Sequence, residues 1–218
     1  MNMFFREFAL AFSALLPVVN PIGSALIFLG IVGGLPRDVF AKLAREVAVS
    51  TILFLLIIEL IGALLLQFFD ISLPVVQLAG GLVLASMGWQ LLNNQGNKAD
   101  QQSSVSAGLL SPADSVFYPL TFPVTAGPGC IVVTITLSAH ASHGAVRRDI
   151  ASHFGIAAAI VVLGVLVWLC YAYAPTITLK IRPQTMQGIL RVIAFVLLCI
   201  GVQIAKNGLS AMIVGAPK

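Results

Sequence analysis

Two interrupted apolar runs hold the residues with the most to offer a ligand. The first reads Pro17-Val18-Val19-Asn20-Pro21-Ile22-Gly23-Ser24, and the second Pro119-Leu120-Thr121-Phe122-Pro123-Val124-Thr125-Ala126-Gly127-Pro128-Gly129. Each opens with a proline inside a hydrophobic run and ends in a Pro/Gly cluster. Proline removes a backbone donor and clashes with the preceding turn, so a helix is expected to stop there. In hydrocarbon a freed carbonyl or N–H has no water partner and costs several kcal/mol. Such breaks persist where they are buried in protein or line a wet cavity. Two of them in corresponding halves of a chain point to a midplane binding site in a secondary transporter. Unwound backbone there supplies N–H and C=O groups, and a half-helix N-terminus supplies partial positive charge. A zwitterionic amino acid needs donors for its carboxylate and acceptors for its ammonium. Gly23, Gly127 and Gly129 allow close backbone approach. Asn20, Ser24, Thr121 and Thr125 add side-chain polar atoms, and Pro21, Ala126 and Pro128 complete the two stretches. The alternative is that the prolines only kink helices and the small residues only permit packing.

Glu59 and Arg191 are the charges set deepest in apolar sequence. Intramembrane ionisable residues are expensive and are usually functional or paired. Glu59 reads as a proton-coupling carboxylate, or as a carboxyl hydrogen-bonded to a neighbouring helix. Arg191 reads as its ion-pair partner, as a loop-paired charge, or as a side chain that snorkels to the interface. His153, near the end of an apolar run, reads as interfacial. Gln90 and Gln203 read as interhelical hydrogen-bonding groups. Cys130, Cys170 and Cys199 lie in apolar segments without metal or disulfide spacing and read as small hydrophobes. No nucleophile–base pair, metal-ligand cluster or phosphate loop stands in the sequence. No enzymatic activity, metal or cofactor is expected.

Composition sets the elements that must position these groups. The chain has 218 residues, 59% apolar and only 9% charged, with a strongly positive mean hydropathy. Soluble domains carry about 25% charged residues, so most of this surface must face lipid. A spanning helix needs about 20 apolar residues. Six spans are predicted, near 8–32, 47–69, 75–92, 116–139, 150–173 and 186–212. Arg6 before the first run resembles a signal peptide, but the run is too long and too interrupted, and reads as span one. Arg37, Lys42 and Arg45, with Asp38 and Glu46, read as a basic loop after it. Residues 93–115 read as a flexible polar linker within a single membrane domain covering 1–218. Basic residues are scattered, so nucleic acid binding has no support.

The two halves, about 1–92 and 116–218, look like copies. Gly88-Trp89-Gln90 with Asn94 recurs as Gly201-Val202-Gln203 with Asn207, and Pro17 followed by Pro21-Ile22-Gly23 recurs as Pro123 followed by Pro128-Gly129. Three spans is an odd number, so the copies would be inverted, related by an axis in the membrane plane. The basic cluster after span one favours an extracytoplasmic N-terminus.

Phe-Ser-Ala-Leu-Leu-Pro-Val-Val-Asn-Pro-Ile-Gly ending at Gly23, Pro-Leu-Thr-Phe-Pro-Val-Thr-Ala-Gly-Pro-Gly ending at Gly129, and Gly188, Arg191, Gly201-Val-Gln203 and Asn207-Gly208 in span six together resemble the MarC family of bacterial inner-membrane proteins. The resemblance covers nearly the whole chain. It departs at Gln77, where a basic residue is expected beside Gly80-Gly81. The related SnatA-like branch implies transport of small neutral amino acids. The expectation is therefore an all-α, six-span bacterial inner-membrane transporter of a small neutral solute in the lipid bilayer. Proton or sodium coupling and oligomer formation are both compatible with it. The competing expectation is a non-transporting scaffold or assembly protein that binds partner spans through its glycine-rich faces.

Overall fold

The computed structural model describes residues 3–32, 35–93, 115–141, 146–176 and 183–214. These form eight helices and no strand: α1 (Met3–Val19), α2 (Pro21–Val32), α3 (Arg37–Phe68), α4 (Leu73–Asn93), α5 (Val116–Thr125), α6 (Pro128–Ala141), α7 (Val146–Ala172) and α8 (Pro183–Val214). Five spans are long and apolar enough to cross a membrane, with α1 and α2 together making one of them. A sixth is the pair α5 and α6, bent by 71° at its break. The all-α, six-span expectation therefore agrees with the structure. The expected linker falls at 94–114, outside the described residues.

The expected basic loop after span one is corrected. Arg37, Lys42 and Arg45 lie in the first turns of α3, which starts directly after Pro36. Proline fixes an extended entry, Asp38 favours the positive helix N-terminus, and Lys42 pairs with Glu46 one turn on, at 3.8 Å. The helix of 32 residues is about 48 Å long at 1.5 Å per residue. It therefore carries its charged start beyond a hydrocarbon layer of about 30 Å.

The core lies between α1, α2, α3 and α7, where Leu15, Phe28, Leu55, Ile156, Ile160 and Leu163 are fully enclosed. Leu53, Ile57, Leu60 and Leu64 on the outer side of α3 are exposed. Lipid is as apolar as leucine, so exposure of those residues costs nothing there, and close packing at small residues has to select the neighbours. Ile52 fills the notch at Gly164 and Ile135 the notch at Gly62, which sets α3 against α7 and α6.

Helix α8 packs chiefly along α4, and here two backbones touch. A Cβ at Gly81 would run into the backbone of Ala205, and one at Gly201 into the backbone of Ala85. Gly88 meets Leu198 and Ala194, while Gly208 meets Leu78 and Pro74. The contacts are reciprocal: 74, 78, 81, 85 and 88 on α4 have the spacing of 194, 198, 201, 205 and 208 on α8. In these contacts Gly81 has the place of Gly201 and Gly88 that of Gly208, a register that differs from the Gly88–Gly201 match read from the sequence. Overpacking in a filled core costs about 1–3 kcal/mol, and here the obstacle is backbone that cannot rotate away. Gly81→Val and Gly201→Val are each expected to lower the thermal unfolding midpoint of the detergent-purified protein by several degrees. Gly188→Ala, which meets nothing within 4 Å, should leave the midpoint where it was.

Candidate functional site

The first break is narrower than the sequence suggests. Helix α1 runs through Pro17 to Val19, because an internal proline forfeits one hydrogen bond without obliging the chain to unwind. The interruption is Asn20, held at φ 46°, a left-handed conformation that asparagine tolerates better than most residues. Its N–H still donates to Leu16 O at 3.0 Å, and its carbonyl accepts from Ser24 N–H at 2.9 Å. Its side-chain Oδ1 accepts the Gly23 N–H at 3.1 Å, as an N-cap does. Pro21 then occupies the first helical position, where a missing N–H is harmless. Ser24 is buried, and its Oγ donates to Asn20 O at 3.0 Å.

The second break is a true departure from α-geometry. Tyr118 (φ −117°, ψ 123°) and Phe122 (φ −118°, ψ 127°) are extended inside α5, and each precedes a cis proline, Pro119 and Pro123. The segment is a tandem repeat, aromatic-Pro-x-Thr: Tyr118-Pro119-Leu120-Thr121 then Phe122-Pro123-Val124-Thr125. Each threonine hydroxyl donates to the carbonyl five residues back. Thr121 reaches Val116 O at 2.8 Å and Thr125 reaches Leu120 O at 2.6 Å. The Ala126 N–H reaches Thr121 O at 2.8 Å. Side-chain donors thus replace some of the N–H groups that the prolines remove. The chain re-enters helix at Pro128, where Cys130 N–H bonds Gly127 O at 2.9 Å.

The fold brings the two breaks together. A Cβ at Gly129 would press on Leu84 and lie 3.2 Å from Val18. Tyr171 of α7 links them: its hydroxyl is 2.6 Å from Thr125 Oγ1 and lies beside Ser24. The tyrosine is fully buried, and its ring stacks on Phe28 at 4.5 Å. Thr121, Thr125, Ala126, Gly127 and Gly129 are buried, whereas Pro128 is exposed. A Cβ at Gly127 would lie 3.2 Å from Pro123 O, a tight contact with backbone, and 3.8 Å from Met87 Cε. The tandem repeat could have been read from the sequence. Nothing in the apolar run around Tyr171 marked that residue out.

Glu59 is 2% exposed in the last third of α3. Its carboxylate contacts Nδ1 of His153 on α7, and its backbone carbonyl accepts from Ser138 Oγ of α6 at 2.7 Å. His153, read from the sequence as interfacial, meets the buried carboxylate while its own side chain stays about one-third exposed. Antiparallel packing of α3 on α7 carries the fourth residue after Asp149 down to the carboxylate. Arg191 is exposed early in α8 and does not pair with Glu59. Gln90 donates to Ser86 at 3.1 Å and Gln203 to Asn207 at 2.8 Å. Both bonds lie within one helix, which corrects their interhelical reading, because each glutamine sits on an exposed face. Cys130 is buried as expected, Cys170 is half-buried, and Cys199 is exposed among apolar residues of α8. No group of three or more metal-binding side chains gathers among the described residues.

An interhelical side-chain hydrogen bond in a membrane is worth about 0.6 kcal/mol on average and up to about 1.7. Tyr171→Phe and Thr125→Val, analysed as a double-mutant cycle of unfolding free energies, should show a coupling of about 1 kcal/mol. A coupling indistinguishable from zero would remove Tyr171 as the link between the breaks.

Comparison with known proteins adds ancestry to this geometry. The family model described as MarC family integral membrane protein matches residues 5–213. The inner membrane protein MarC of Salmonella typhimurium is 27% identical over 213 residues, covering 96% of both chains. The proteins of that name from Citrobacter koseri and Escherichia coli are 26% and 27% identical over the same span. No solved structure matches.

Proposed function

The chain belongs to the MarC family of integral membrane proteins, and from that premise we propose that this multi-pass inner-membrane protein transports small neutral solutes, most of all small neutral amino acids, by alternating access. One observation carries the reading. Two helix breaks from different halves of the chain are buried against each other and joined through Ser24, Tyr171 and Thr125. Non-helical backbone at membrane depth is tolerated where it is enclosed by protein or lines a cavity, and transporters bind substrate at such places. The backbone around Asn20–Gly23 and Ala126–Gly129 would hold the solute, with Asn20, Ser24, Thr121 and Thr125 as side-chain contacts. The reciprocal contacts of α4 and α8 support an inverted-repeat origin, because a two-fold axis in the membrane plane would generate that matching. The scaffold reading needs free glycine faces, yet Gly80, Gly81, Gly88, Gly201 and Gly208 are covered within the chain.

Uptake of labelled alanine into proteoliposomes tests the proposal. Saturable uptake is expected, and Gly127→Val should reduce it at least tenfold while the protein stays monodisperse and folded. Wild-type vesicles no better than empty ones, across glycine, alanine and serine, would overturn the transporter reading.

Glu59 and His153 form the coupling element in this proposal. A carboxylate enclosed at membrane depth with an imidazole as its side-chain partner can exchange a proton without exposing a bare charge to lipid. Glu59→Gln and His153→Gln should each abolish alanine accumulation driven by an imposed proton gradient while preserving alanine exchange across the vesicle membrane. Gradient-driven accumulation that survives both changes would exclude the pair from coupling.

A further inference from the structure

A second polar feature lies away from the breaks. Helices α4, α6 and α8 border a half-open pocket of about 380 Å³ lined by Gln77, Thr136, His140, Ile204, Asn207, Ser210 and Ala211. Five of these seven side chains carry hydrogen-bonding groups. The volume is in the range of small-molecule sites.

Among the described residues, two of its polar side chains lack protein partners. Gln77 is 6% exposed and makes no side-chain hydrogen bond with them. Thr136 Oγ1 is fully enclosed and also unpartnered. Leaving an enclosed group unpaired costs about 1–3 kcal/mol. Two more lining groups are half-engaged in an informative way. His140 Nδ1 lies 2.7 Å from Thr136 O, which can only accept, so Nδ1 donates there and Nε2 is the free ring nitrogen. Asn207 Oδ1 is taken by Gln203, which leaves the Nδ2 hydrogens as donors. The pocket thus presents donors from Gln77 and Asn207, the acceptor oxygen of Gln77 and the free ring nitrogen of His140. Among the described residues, neither a carboxylate nor a Lys or Arg lines it. Such a set matches a small solute with no net charge that both donates and accepts, a class that includes the zwitterion of the transporter reading.

We propose that this cavity is a second binding site for the transported solute, a waiting position between one membrane face and the breaks. The inference rests on the transporter reading. Helix α6 connects the two places, because it starts at the second break and Thr136 lies eight residues after Pro128, about 12 Å along the axis at 1.5 Å per residue. Gln77 also acquires a role: its amide supplies both a donor and an acceptor to a neutral solute, where a basic side chain would supply donors and charge but no acceptor.

Equilibrium binding of labelled alanine to the full-length protein in detergent decides the matter. Two equivalents are expected for the wild type and one for Gln77→Leu, with Gly127→Val removing the other equivalent. Ser210→Trp, a change at an exposed position of the rim, should remove the same equivalent as Gln77→Leu and serves if the buried variant does not fold. A single wild-type equivalent that Gly127→Val abolishes and that Gln77→Leu and Ser210→Trp leave unchanged would overturn the proposal while sparing the transporter reading. The cavity would then hold only water. No alanine bound to folded wild-type protein would overturn both. A single equivalent lost in Gln77→Leu and kept in Gly127→Val would support the cavity and remove the breaks as a site.

Discussion

Every broken helix in this chain has to find partners for its own backbone, because the surrounding lipid offers none. The two breaks meet that demand in different ways. Asn20 turns a single residue left-handed and lets the hydrogen-bond ladder resume at Ser24. The second break spends two prolines and two extended residues, and threonine hydroxyls stand in as donors to carbonyls five positions back. Both solutions place polar atoms in the interior, and those atoms in turn determine what else can pack there. Tyr171 satisfies the demand with a ring that stacks on Phe28 and a hydroxyl that reaches Thr125.

Packing follows from the same solvent. Since leucine gains nothing by leaving lipid for protein, helices are held where their backbones approach closely. The glycines of α4 and α8 serve that purpose, with Gly80 turned to Val132 of α6 and Gly81 and Gly88 turned to α8. Two adjacent glycines therefore face two different neighbours, and α4 is wedged between them. This arrangement also borders the α4–α6–α8 pocket: Gly208 approaches Leu78 and Gln77, and Gln77 lines the space that remains.

The charged groups obey a harsher rule. Glu59 is buried and its carboxylate contacts a histidine from a helix that arrives far later in the chain. Arg191, which the sequence could equally have offered as that partner, stays exposed. A planar guanidinium on a long stem can reach an interface from early in a span, whereas a short carboxylate deep in α3 must find its partner locally.

By itself the sequence determined the class of the protein: the scarcity of charge and six apolar runs demand a helical membrane protein, since only closed backbone hydrogen bonding survives in hydrocarbon. It also located both breaks and singled out Glu59, because Pro, Gly and a lone carboxylate are conspicuous in apolar sequence. The aromatic-Pro-x-Thr repeat was equally visible in the letters. Tertiary structure alone decided what those residues meet. That Tyr171 bridges the breaks, that His153 reaches Glu59, and that Gln90 and Gln203 bond within their own helices all depend on helix register and rotation. In an apolar chain nearly every face is hydrophobic, so periodicity does not say which face turns inward. The notches at glycine settle it, and their partners come from elsewhere in the chain.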